Sequence, residues 1–333
     1  MKRKLFIVIL FLYVILFHCF SNDSAKEKQS IVYNFPIYNG SINMMTMEQS
    51  DEIFSSTYQL ASRIYFDTLA PLNTSFWRQT EIFFPYFLFD YLILEPFSHE
   101  EAHRSILTNK GIGSISQPFM KPIKVYGIFI GGAAYVKGVT DATLRNLRDT
   151  DLPSFIRLHT AGIESDYILA KKAFTTMALN LDYISAYTSK AYFGPKKGEE
   201  SLWYINSTEF ITRSTNTWFY LYGGLSPSTV KLEEEDDEFE RDIVGDDVYG
   251  TIHHLFQPKA EYQRYIDYTE LTEEERAFAK RVGWRSFLDL PIISPLWFGK
   301  NYFNIGQNHT FSFNTGYALA PFGDFIDENI YYS

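Results

Sequence analysis

The chain has 333 residues, enough for one large domain or two, and its 46% hydrophobic content supports a substantial core and excludes a disordered polymer. A formal net charge of −10 disfavours nucleic acid as a partner. Cys19 is the only cysteine, so the body of the protein offers no disulfide, no thiolate metal ligand and no thiol nucleophile.

Met1-Lys2-Arg3-Lys4 is basic, residues 5–17 are almost wholly apolar, and polar Ser21-Asn22-Asp23-Ser24 follows. This is the pattern of a secretory signal or a single N-terminal anchor helix, and residues 1–22 are set apart from the fold. The run is short for a spanning helix, which favours cleavage. Cys19 at its end would suit lipid attachment, although Phe17-His18 are not the small residues such a site uses. The expected address is export to a bacterial-type cell envelope, periplasm or outer membrane, with Cys19 as one means of anchorage.

Residues 23–47 read as an extended arm, and residues 48–230 as a helical core. A first helix is expected from about Gln49-Ser50-Asp51, with Phe54, Tyr58, Ala61 and Tyr65 as its apolar stripe and Pro71 as its end. The apolar residues 82–94 lead into a helix over about 97–108, with Ser98 as a candidate cap and Asn109-Lys110-Gly111 as its stop. Residues 111–123 read as loop, and residues 125–136 as a buried helix or a strand. A long helical region is expected over 141–187, interrupted near Pro153 and Gly162. Its second part carries the stripe Ile163, Tyr167, Ala170, Phe174, Met177, Leu181. Residues 203–225 are aromatic and Ser/Thr-rich, with no clear period.

Residues 231–260 form an acidic loop region whose Glu233–Glu238 run, with Asp242, Asp246 and Asp247 beyond it, lacks the alternating spacing of a calcium loop and reads as a solvated loop. The adjacent His253 and His254 cannot easily share a metal and read as structural. In the last portion, residues 261–333, Thr272-Glu273-Glu274-Glu275 is a capping box opening a helix that ends near Gly283. Phe311, Phe313, Thr315, Tyr317 and Leu319 then alternate with smaller residues, the period of a β-strand. The fold class expected is mainly α, with a smaller antiparallel β portion at the C-terminus.

The chemistry concentrates in His99-Glu100-Glu101-Ala102-His103. On a helix His99 and His103 share a face and can hold one Zn²⁺. Glu100, one step round the turn, can take a proton from a water whose pKa the metal has lowered. A zinc site needs a third protein ligand, and no further His follows in the spacing of the longer zinc motifs. The best stretch for a carboxylate is His159-Thr160-Ala161-Gly162-Ile163-Glu164-Ser165-Asp166. Glu164 opens the amphipathic stripe, Asp166 could orient a ligand histidine, and His159 and Asp166 are rival ligands.

At this point the chain resembles the gluzincin-type zinc metallopeptidases, through His99-Glu100-x-x-His103 and the downstream Glu164-x-Asp166. The resemblance spans roughly residues 95–180. It implies a zincin-like helical catalytic core, His99, His103 and Glu164 as zinc ligands, Glu100 as the catalytic base or acid, and a peptide or protein substrate. The alternative reading is a non-catalytic envelope protein, associated with the outer membrane through aromatic C-terminal strands.

Overall fold

The computed structural model describes residues 35, 45–69, 90–125, 128–179, 205–225, 237–298, 302–305 and 309–333. The N-terminal signal or anchor, most of the arm, Pro71, Leu181 and residues 231–236 of the acidic stretch lie outside these residues. The described chain is mainly α with a small β part, including a three-stranded antiparallel sheet at the C-terminus.

Helix α1 (Met47–Leu69) is followed by a π-helical turn (Asp90–Leu94) that runs directly into α2 (Glu95–Asn109). A hairpin of β1 (Ile115–Val125) and β2 (Ile128–Lys137) comes next, then α3 (Asp141–Thr150), α4 (Leu152–Ala178), α5 (Ile205–Tyr222), α6 (Asp247–Phe256) and α7 (Glu273–Arg285). Strands β3 (Phe303–Ile305), β4 (His309–Ala320) and β5 (Gly323–Tyr332) form the C-terminal sheet in the order β3-β4-β5.

The centre of the assembly is α4, which packs against α2, α3, α5, α6 and β4. Local chemistry sets its start. Asp151 is non-helical and accepts a hydrogen bond from the Ser154 amide at 3.3 Å, and Pro153 occupies the first turn, where its missing N–H costs nothing. The expected interruption near Pro153 is therefore the α3–α4 boundary. Gly162 does not interrupt the helix, which runs through it for four more turns. Ile163, Ala170, Phe174 and Met177 of the stripe are buried.

Three apolar clusters meet on α4. Phe155 and Leu158 join Ala102 and Leu107 of α2; Ile163 joins Leu221, Ile252 and Tyr317; Ala173, Phe174 and Met177 join Phe210. Each fully buried side chain of this size contributes about 1.5–3 kcal/mol relative to exposure. The helices carrying functional groups are thus held by apolar contacts on both sides of a polar seam.

Several local expectations are corrected. Residues 115–125, expected mostly as loop, are strand: a two-stranded hairpin makes β1 an edge, and edges tolerate Pro118 and Pro122 at the price of register shifts beside both. Ser98 does not cap α2. Its hydroxyl donates to the Glu95 carbonyl at 2.9 Å, because the π-turn leaves no free helix end there. Residues 205–222 of the stretch without a clear period are helix α5, and residues 247–256 of the expected acidic loop are helix α6. On β4 the small residues Ser312, Asn314 and Gly316 face inward, and a Cβ at Gly316 would lie 2.8 Å from the Tyr167 ring. Phe311 and Phe313 consequently lie on the outer face, where Phe303 stacks on Phe313.

Candidate metal centre

The π-turn Asp90–Leu94 runs directly into α2, whose charged turn lies in the interior. Glu101 and Arg104 are buried and satisfy each other, Arg104 Nε donating to Glu101 Oε2 at 2.8 Å and Arg104 Nη1 to Thr108 at 2.8 Å. That pairing leaves the opposite face of the helix to His99 and His103, both buried, with ring centroids 4.9 Å apart.

Each imidazole is oriented through its Nδ1. His99 Nδ1 lies 3.0 Å from Asp166 Oδ2, and His103 Nδ1 lies 2.6 Å from the Leu158 carbonyl, both on α4. The two Nε2 atoms point to one place, where the carboxylate of Asp247 meets them. Asp247 Oδ2 is 3.0 Å from His99 Nε2 and 3.5 Å from His103 Nε2. Donors bound tetrahedrally to one zinc at ordinary bond lengths stand about 3.4 Å apart, so these spacings bracket what an ion requires. One donor atom from each of His99, His103 and Asp247 lies within 4.8 Å of the others. Gly162 keeps the space open: a Cβ there would stand 2.2 Å from His99 Nε2 and 2.5 Å from His103 Nε2.

A second layer holds Asp166. Arg213 Nη1 donates to Asp166 Oδ1 at 2.8 Å and to Ser98 at 2.5 Å, Asn216 Nδ2 donates to Asp166 Oδ2 at 2.7 Å, and Asn216 also bonds Glu95. Tyr220 of the same helix stacks on His99, with centroids 4.4 Å apart. Glu95, His99 and Asp166 form another close donor group. The buried guanidinium of Arg213 already neutralises Asp166, so a second cation there is disfavoured.

The electrostatics follow from this packing. Burial alone would push both imidazoles down, but Asp166 and Asp247 at His99, and Asp247 at His103, hold them above their ordinary value. Burial would raise Asp247, yet His103 and His99 hold its carboxyl well below the usual range. A dication held by His99, His103 and Asp247 would take the place of the protons that this carboxylate favours on the two imidazoles. Burial pushes Glu100 up to about 7, against the opposing pull of His103 and His99. Glu100 lines a cleft of about 180 Å³ together with His99, His103, Asp247, Tyr220 and Ala134 of β2.

Of the residues singled out from sequence, the fold brings together His99, Glu100, His103 and Asp166. Glu164 is not among them, which corrects the expected ligand set. It accepts two hydrogen bonds from Arg157, at 2.8 and 2.6 Å, on the partly exposed side of α4. His159 is buried against Gly250, with both ring nitrogens unbonded among the described residues, and burial lowers its pKa to about 4. Asp247 was missed because it sits among acids read as a solvated loop. Its one signal was position: an acid at the start of an apolar helix, with Gly250 one turn on. Arg213 and Asn216 carried no sequence signal.

No protein-family model matches the chain, and no curated protein or solved structure matches it.

Proposed function

We propose that the chain is a zinc-dependent metallopeptidase, exported to the cell envelope, that hydrolyses bonds in a peptide or protein substrate. The observation that carries this reading is the convergence of His99 Nε2, His103 Nε2 and Asp247 Oδ2 beside Glu100 at the floor of a cleft. Two imidazoles and one carboxylate, each imidazole braced through its other nitrogen, suit zinc better than calcium or magnesium, which prefer oxygen donors. Zinc held there would supply a Lewis acid for the scissile carbonyl and lower the pKa of water.

The chain's own residues do the rest. Asp166 and the Leu158 carbonyl fix the tautomers of His99 and His103, so that Nε2 of each is the free donor. Glu100, with its pKa near 7, accepts a proton from the attacking water at neutral pH and returns it to the leaving amine. The half-enclosed cleft limits bulk water around these groups. The outer-face aromatics of the C-terminal sheet favour the second reading, a membrane-associated envelope protein without turnover, but do not account for the buried donor set.

Elemental analysis of the purified chain separates the two. The expected result is about one zinc per chain, lost in the His99→Ala, His103→Ala double variant. Glu100→Gln should keep the metal and lose peptide hydrolysis by about 10²–10⁴-fold. Metal-free protein after zinc is offered, or a Glu100→Gln chain that still cleaves at the native rate, would end the proposal.

A further inference from the structure

The outer face of α7 has a different character from the rest of this acidic protein. Lys280, Arg281, Trp284 and Arg285 recur at helical spacing and are all exposed, Trp284 by 68%. Beside them lies the tip of the β4–β5 hairpin, where Phe322 is 84% exposed. The tip is tied to the helix through Asp324, which accepts from Arg281 Nη2 at 2.8 Å and from Arg285 Nη1 at 2.5 Å. Asp324 also accepts from Tyr317 at 3.0 Å, so the turn is fixed against the body.

One carboxylate against three cations leaves this patch positive on a chain whose total is −10. The glutamates of α7, Glu273, Glu274 and Glu275, are confined to its first turn. Two large aromatics held in water among cations match the headgroup region of a membrane. Trp and Phe gain there by leaving water, and Lys and Arg meet lipid phosphates. A long polyanion such as nucleic acid would meet the acidic remainder of the surface and gain nothing from Phe322.

We infer that this patch docks the protein on an anionic phospholipid bilayer, with Trp284 and Phe322 entering the headgroup layer and Lys280, Arg281 and Arg285 facing phosphates. The inference does not depend on the metal centre. The full chain, carrying Cys19→Ser and Pro321→Cys, is labelled at position 321 with an environment-sensitive fluorophore. It is mixed with vesicles of phosphatidylcholine, alone or with an equal part of phosphatidylglycerol. The label should shift to the blue on the anionic vesicles and little on phosphatidylcholine alone, while a label at Asp149→Cys on α3 stays in water. Lys280→Ala should weaken the response roughly fivefold, since each basic residue near such a surface contributes about 1 kcal/mol. Trp284→Ala with Phe322→Ala should abolish it with the unfolding temperature unchanged. A label at 321 that stays in water on anionic vesicles overturns the inference, even if another segment carries the chain to the membrane. So does an equal shift on phosphatidylcholine alone, or a shift with a short oligonucleotide but not with vesicles.

Discussion

Glu164 and Asp166 stand two positions apart on α4, which turns their side chains about 200° from each other around the helix axis. Only one of them can face α2. The apolar neighbours Ile163 and Ala170 fix the buried side, Asp166 falls on it, and Glu164 is left to pair with Arg157. The pair His99 and His103 was legible because a spacing of four is a statement about one helix. The carboxylate opposite them comes from α6, 148 residues beyond His99, and no local period links the two. Asp247→Ala should therefore remove zinc as completely as loss of a histidine, whereas Glu164→Ala should leave zinc stoichiometry and affinity unchanged. Calorimetric zinc titration of the two variants checks this, and equal losses in both would reject Asp247 as the third ligand.

Helices with strong periodicity or strong caps were legible at the level of whole elements. The Thr272 box is present, Thr272 accepting from the Glu275 amide while Glu275 accepts from the Thr272 amide. Ile163, Ala170, Phe174 and Met177 of the stripe on α4 lie in the core. Strand β1 and helix α5 were not legible. Two prolines weaken the strand signal in β1, and α5 spends its buried face on Glu209, Thr212, Arg213 and Asn216, which blunts any apolar period. A similar buried polar contact joins α1 to α4, where Ser165 donates to Asp51 at 2.6 Å. Burial raises Asp51 to about 7, only partly opposed by Ser165 and Arg213. The folded state therefore holds this proton more tightly than the unfolded chain. The associated stability is complete below pH 3.8 and is lost as pH rises through about 7. Asp51→Asn, which stays neutral, should gain stability relative to the parent on going from pH 5 to pH 8, by up to about 1.4 kcal/mol for each unit between pH 5 and the folded pKa of about 7. Urea unfolding of both chains at the two pH values measures the difference, and a constant offset would show that Asp51 ionises normally in the fold.

The molecule as a whole assembles its donor set from α2 and α6, two helices that both pack on α4. An ion bound by His99, His103 and Asp247 would therefore bind the folded chain and not the unfolded one. At a thousandfold excess over its dissociation constant such an ion stabilises by about 4 kcal/mol. For a chain of this size, with an unfolding entropy of about 0.7 kcal/mol/K, that corresponds to roughly 6 °C in unfolding temperature. Chelation should lower the melting temperature by that order and zinc should restore it, while the His99→Ala, His103→Ala chain should respond to neither. An identical melt with and without chelator in the parent would contradict a bound ion.

The separation of 148 positions from His99 to Asp247 also orders events in time. A polypeptide that emerges from the ribosome or a translocation pore N-terminus first presents the imidazole pair long before α6. Until then the two histidines are a two-donor site whose helix has not yet met its partners. Firm capture of an ion then belongs to the end of synthesis or export, after α6 has docked on α4. A nascent chain arrested before residue 247 would pass through a metal-containing compartment without retaining the ion, so metal content would report that α6 had arrived.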